Sequence, residues 1–200
     1  MAEAVPLTKL EAVNGILRDM GDRQVSSLTN QTRIDVIHAI ASVEDITNEL
    51  CETGYWFNTE IVEIALDGSD QYVIPADYSH VEVHSGGPTS GSQGPPFLVV
   101  RGRVLYDTVN SRDTFAGSGS VKLKIHRLLS FEQMPATARQ YVRSTASVIT
   151  QSQQIGSTSV DRDLRERASR ALAALNEEHL DANNIDQTYS PHFIDIMHRR

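Results

Sequence analysis

The sequence predicts an α+β protein: a four-helix bundle formed by N- and C-terminal helix pairs, with a small antiparallel β-sheet domain inserted between them. Two observations carry that prediction. Apolar residues recur at helical spacing up to Gly54 and again beyond Pro135, whereas between about residues 57 and 129 the period falls to two. Gly21 and Gly54 then stand where helices should stop. The simplest packing buries the four helical stripes against one another and leaves the sheet as a second layer. The segments are 1–54 for the N-terminal helices, 55–130 for the β domain, 131–185 for the C-terminal helices and 186–200 for an extended tail.

Thr8-Lys9-Leu10-Glu11 has the form of a capping box, in which Thr and Glu side chains satisfy each other's backbone donors. Leu10, Val13, Ile16 or Leu17 and Met20 then repeat at helical spacing up to Gly21. Asp22 to Gln31 is a polar connection carrying Val25 and Leu28. A longer helix is expected from about Thr32 to Thr53, with Ile34, Ile37, Ala41, Ile46 and Leu50 as its buried stripe.

Beyond Tyr55, Ile61, Glu63 and Ala65 alternate with Val62, Ile64 and Leu66, and Asp67-Gly68 marks a turn. Tyr72-Val-Ile74 reads as a strand up to Pro75. Val81 and Val83 face one way and His80, Glu82 and His84 the other. Ser85 to Pro96 is too polar and Gly-rich to pack, so it reads as a loop. Phe97 to Asp107 suits a pair of strands with Gly102 at a kink or bulge. Val121, Leu123 and Ile125 alternate with Lys122, Lys124 and His126 as the final strand of one antiparallel sheet.

Pro135 fits the first turn of a third helix reaching about Gln154, with Tyr141, Val142, Val148 and Ile149 as sparse apolar positions. A fourth helix, about Val160 to Leu180, buries Leu164, Ala168, Ala171 or Leu172 and Leu175. Asp161/Arg165, Asp163/Arg167 and Glu166/Arg170 lie at the stabilising i,i+4 spacing, so the charge run reads as a solvated or interprotomer face. Asp181 to Arg200 reads as a tail studded with Tyr189, Phe193, Ile194, Ile196 and Met197.

Composition narrows the function. Apolar residues at 40% and charged residues at 22% describe a soluble globular chain. A net charge of −8 argues against general affinity for nucleic acid or an anionic membrane, because both need a basic footprint. No stretch approaches the roughly 20 apolar residues of a spanning helix, and the N-terminus has no signal-peptide pattern. The single cysteine, Cys51, excludes an intrachain disulfide and a Cys-based zinc site, and suits a chain made and used in a reducing cytoplasm.

Catalytic and cofactor motifs are missing: no phosphate-binding glycine loop, no nucleophile elbow and no H-E-x-x-H. The expectation is no catalytic residue, no cofactor and no metal. His80-x-Glu82-x-His84 could in principle offer metal ligands, but the same pattern is the ordinary polar face of a half-exposed strand. The competing functional classes are a glycan-degrading enzyme using carboxylates such as Glu60, Glu82 or Asp107, and a nucleic-acid binder using Lys122, Lys124, His126 and Arg127.

Several blocks sharpen the default reading of a structural or interaction protein. They are Leu10-x-Ala12-Val13-Asn14-x-Ile16-Leu17, Met20-Gly21, Val25-x-x-Leu28, Gly54-Tyr55-Trp56-Phe57-Asn58-x-Glu60 and Ile74-Pro75-x-Asp77. Gly102-x-Val104-Leu105-Tyr106-Asp107, Phe115, Phe131-Glu132-x-Met134-Pro135 and Tyr141-Val142 follow. In this order, from residue 10 to about 150, the chain resembles the tail tubular protein A family, the head-to-tail adaptors of short-tailed podoviruses. It departs from the usual pattern in placing Tyr55 between Gly54 and Trp56, and in having Arg23-Gln24 where prolines often stand.

The resemblance implies a virion structural subunit in the phage tail. It implies a homo-oligomeric, twelve-fold ring between the portal protein and a tail nozzle (tail tubular protein B-like) protein, with a tail fibre as a further neighbour. Genomic DNA would pass through during ejection without specific binding. The tail residues Tyr189, Phe193, Ile194, Ile196, Met197, Arg199 and Arg200 are the expected portal contact. A ring needs two different, complementary patches on each copy, and an acidic chain offers passing DNA few phosphate ligands.

Overall fold

The computed structural model describes residues 7–86, 98–154 and 158–188. The chain divides into two compact units, Met1–Leu50 with Leu129–Arg200, and Cys51–Leu128. The order of elements is the expected α+β one: two helices, a β region, two helices.

In the first unit, α1 (Lys9–Asp19) starts on the Thr8 capping box. Glu11 N–H donates to Thr8 Oγ1 at 3.2 Å and Thr8 N–H to Glu11 Oε2 at 2.8 Å. The helix stops in a Schellman arrangement, with Gly21 N–H on Arg18 O and Asp22 N–H on Leu17 O, and Gly21 takes the φ of 80° that this motif requires. Eleven residues are too few to hold a helix in water. Ala12, Val13, Ile16 and Leu17, all fully buried, make it stable by packing, at about 1.5–3 kcal/mol for each large side chain.

The second helix, α2 (Ile34–Thr53), buries Val36, Ala39, Val43, Ile46 and Leu50, which recur at spacings of three and four. This corrects the expected stripe, because Ile34 is 69% and Ile37 44% exposed and Ala41 is exposed too. Two apolar stripes share this helix, and polar Ser42 and Thr47 inside the true one disguise it. Thr47 Oγ1 bonds back to Val43 O at 2.7 Å, and Ser42 Oγ lies 3.2 Å from Thr150 Oγ1, so neither is left wanting.

A 3₁₀ turn (Phe131–Gln133) leads into α3 (Ala136–Gln154). Arg139 holds this entry by donating to Met134 O, Glu132 O and Leu7 O at 2.7, 2.6 and 3.0 Å. The last helix, α4 (Thr158–Thr188), runs eight residues past the expected end, so 181–188 are helical and not part of a tail. No proline or glycine stands between Arg170 and Pro191 to stop it. Asp19, at the unfavourable acidic end of α1, accepts from Arg143 and Ser147 of α3 and Arg167 of α4 at 3.4, 3.1 and 3.2 Å. Arg167 therefore serves α1 and not the expected partner Asp163.

The second unit holds two sheets where one was expected. Strands β1 (Thr59–Ile64), β2 (Tyr78–Gly86) and β5 (Val121–Arg127) pair antiparallel in the order β1-β5-β2, and β3 (Leu98–Arg101) with β4 (Val104–Asp107) forms a separate hairpin. The final strand is thus central, which explains its strict alternation of buried Val121, Leu123 and Ile125 with exposed Lys122 and Lys124. Gly102 lies in the hairpin turn, not at a bulge; the bulges interrupt β2 between Tyr78 and His80 and between Val83 and Ser85. Tyr72-Val-Ile74 is one isolated bridge, Val73 to Val104, flanked by Leu105 N–H on Tyr72 O and Ile74 N–H on Arg103 O. Tyr72 and Phe115, ring centroids 5.2 Å apart, centre the core with Leu105, Leu123 and Ile125. The expected loop from Ser85 lies largely outside the described residues.

Candidate functional site: junctions and assembly surfaces

Two of the sequence blocks meet at Arg127. Asn58, fully buried just before β1, accepts Tyr55 N–H at 2.8 Å and donates through Nδ2 to Cys51 O at 2.7 Å and Arg127 O at 3.1 Å. Arg127 in turn forks onto Glu60, Nε to Oε1 at 3.0 Å and Nη2 to Oε2 at 2.9 Å, and reaches Asp77 with Nη1 at 2.7 Å. Its guanidinium lies 5.1 Å from the Tyr78 ring. The hydrogen bonds to Glu60 outweigh the opposing effect of burial and raise its pKa beyond an already high ordinary value. Beside it, Tyr55 stacks on Phe57 at 5.9 Å and Trp56 sets its edge to both rings. The blocks from Gly54 to Glu60 and from Ile74 to Asp77 are therefore structural joints.

These joints remove one of the four cations of the nucleic-acid reading, since Arg127 is engaged by two carboxylates. Lys122 stands opposite Glu63 and Lys124 opposite Glu82 in the strand register, so each lysine has an acid beside it. The His126 ring packs against Gly54, which has a φ of 81° and where the ring leaves no room for a Cβ, and its Nδ1 lies 3.0 Å from Glu52 O. His80 packs on it with ring centroids 4.7 Å apart and the planes tilted by 31°. His84 falls within the second bulge of β2, out of line with His80 and Glu82. Among the described residues, no group of three or more His, Cys, Asp or Glu could hold an ion.

Two of the three carboxylates named for a glycosidase, Glu60 and Asp107, are engaged in structural contacts as well. Asp107 is fully buried and caps the turn after β4. Its oxygens accept Val109 N–H at 3.0 Å, Asn110 N–H at 3.1 Å and Asn110 Nδ2 at 2.6 Å, with Arg112 at 3.5 Å. Burial pushes its pKa up, but the side chain and backbone of Asn110, the Val109 amide and Arg112 together hold it below 3.8. An ionised carboxylate has no proton to donate, and both oxygens of this one already accept hydrogen bonds.

Surfaces on the first unit look different. Between α3 and α4 runs a groove of about 300 Å³, lined by Tyr141, Thr145, Val148 and Ile149 on one side and Ala168 and Leu172 on the other. Three of the four apolar positions expected for α3 open into it, and only Val142 of that set is fully buried. Arg165 borders it and pairs with Asp161 at 2.7 Å, while Arg170 and Glu166 stand 3.7 Å apart. Ile34, Ile37 and Ala41 form a separate exposed ridge on α2. The tail residues Tyr189, Phe193, Ile194, Ile196, Met197, Arg199 and Arg200 lie outside the described residues. Among the described residues no helix is long and apolar enough to cross a membrane.

Sequence reasoning passed over Asn14, Asp19, Asn58 and Arg139. Asn14 donates to Val25 O at 2.9 Å and accepts Val25 N–H at 2.8 Å, tying the connection to α1. Asn14 and Asn58 both stood in the blocks, and a polar residue amid buried apolar ones was the available signal.

What these sites offer is joints and faces, with polar groups turned to fixing backbone. A family model described as tail tubular protein matches residues 10–185. Tail tubular protein A of Klebsiella phage KP34 is 26% identical over 174 residues, 87% of this chain and 88% of that protein.

Proposed function

Because the chain belongs to the tail tubular protein family, and so is a structural component of a phage tail, we propose that it is the head-to-tail adaptor of a short-tailed virion. Twelve copies form a ring that joins the portal protein to a nozzle protein, with a tail fibre as a further neighbour, and genomic DNA passes through its channel during ejection. The subunit is made in the host cytoplasm and works without catalysis.

The observation that carries this reading is the family match along residues 10–185, beside which two of the sequence blocks meet as a joint at Arg127. The net charge of −8 suits a channel through which DNA must slide without sticking. Glu60 and Asp107 are engaged by Arg127 and by the β4 turn, which favours a mechanical over a catalytic role. The segment beyond Thr188, with Tyr189, Phe193, Ile194, Ile196, Met197, Arg199 and Arg200, supplies the portal contact, since its apolar residues can be covered by a partner.

Co-sedimentation with purified portal rings tests the reading. The full chain is expected to travel with the portal, and the chain lacking residues 189–200 to remain folded and stay behind. A full chain that never binds the portal refutes the adaptor role; a truncated chain that binds equally well refutes only the assignment of the tail.

A further inference from the structure

We propose that Asn14-Gly15 is a deamidation site which folded α1 holds shut, so that only subunits in which this helix opens are converted. Asn14 is the one asparagine in the sequence followed by glycine. With no Cβ on Gly15, its backbone nitrogen reaches the Asn14 carboxamide unhindered in an open chain. That nitrogen attacks Asn14 Cγ, closing a five-membered imide and expelling the side-chain nitrogen as ammonia. Water then opens the imide at one carbonyl or the other. The product is aspartate, or isoaspartate with the main chain rerouted through Cγ. One water enters and one ammonia leaves, and nothing is oxidised or reduced.

The fold obstructs each part of that step. Both residues lie in the middle of α1, where a helical ψ at Asn14 keeps the ring from closing and the Gly15 N–H sits inside the helical ladder. The carboxamide is held at both ends: Nδ2 donates to Val25 O at 2.9 Å and Oδ1 accepts Val25 N–H at 2.8 Å. Gly15 is buried beneath Arg143, whose Nε would stand 2.5 Å from a Cβ at that position. Arg143 is itself tied to Asp19 at 3.4 Å. The same packing leaves no room for a bulkier residue that would slow the reaction, so the vulnerable pair is kept and shielded.

Conversion cannot be undone by refolding. Aspartate has no amide proton for Val25 O and sets a negative charge against that carbonyl. Isoaspartate adds a methylene to the main chain midway along an eleven-residue helix, which breaks the ladder that positions buried Val13, Ile16 and Leu17. Closed subunits are spared and open ones are marked, in proportion to the time spent open.

Peptide mapping of the full-length chain tests the site. The chain is kept at mildly alkaline pH, in buffer and in guanidinium chloride, and the tryptic peptide Leu10–Arg18 is followed by mass spectrometry. Conversion of Asn14 is expected in both, at least about tenfold slower in the folded chain. Equal rates, or no conversion in denaturant, overturn the proposal. Thr8→Ala removes the cap at the start of α1 without touching Asn14 or Gly15. It should speed conversion about fivefold in buffer and leave the rate in denaturant unchanged, and an unchanged rate in buffer overturns the gating by α1. Asn14→Asp, the direct product, should be cut by trypsin after Arg23 several times faster than wild type. Equal cutting there overturns the claim that conversion frees the connection from α1.

Discussion

Arg127 closes on Glu60 through two parallel hydrogen bonds of 3.0 and 2.9 Å, at the point where the last strand ends and the first begins. Both partners are partly exposed, so solvent screens the pair and its worth is modest. Arg127→Lys keeps the charge but loses the fork, and is expected to cost about 1 kcal/mol in urea unfolding. Retention at Lys of the full wild-type stability would mean that the fork does not hold the joint.

Asn58→Asp makes a sharper test of the same joint. The amide nitrogen donates to the carbonyls of Cys51 and Arg127, and a carboxylate there has no proton to give. Burying that charge against two carbonyl oxygens should destabilise the second unit by about 3 kcal/mol or more. Calorimetry showing an unchanged transition would contradict the role assigned to Asn58.

Gly54→Ala should destabilise twice over. Its φ of 81° costs a non-glycine residue about 1–2 kcal/mol. The new Cβ would also stand 2.1–2.6 Å from atoms of the His126 ring, which must swing away and give up Glu52 O. Removing the ring as well, in Gly54→Ala/His126→Ala, should recover the steric part and leave the backbone part. A double variant no more stable than Gly54→Ala would place the damage elsewhere.

Asp107 gives the fold a dependence on acid. Its folded pKa lies below the ordinary 3.8, so its contribution is complete above that value and is lost as pH falls through the lower folded one. Asp107→Ala leaves the Val109 and Asn110 amides without their acceptor and should cost about 2–3 kcal/mol at neutral pH. The gap between variant and wild type should narrow below about pH 4, a trend that urea midpoints from pH 7 to pH 3 would follow. A gap that widens with acid contradicts the sign.

What the sequence made legible follows from how local each signal was. The Thr8 box, the Gly21 stop and the alternation of β5 each depend on a few neighbouring residues, and each appeared where expected. On α2 the pattern misled, because Ile34, Ile37 and Ala41 are as periodic as the buried set; only tertiary contact separates the two faces. Arg167 chose Asp19, 148 positions away, over Asp163 on its own helix, a choice no i,i+4 rule can foresee. The ordered blocks marked Asn58, Glu60 and Asp77, but that these converge on Arg127 is visible only in the fold. Candidate assembly faces were the least legible part, since exposed apolar residues look like core in a sequence.

Counting copies is the most direct test of the central claim. The full-length chain, mixed with purified portal rings, can be imaged by single-particle electron microscopy and weighed by native mass spectrometry. The adaptor reading predicts a closed ring of twelve copies seated on the portal. A compact monomer that leaves the portal bare would contradict it.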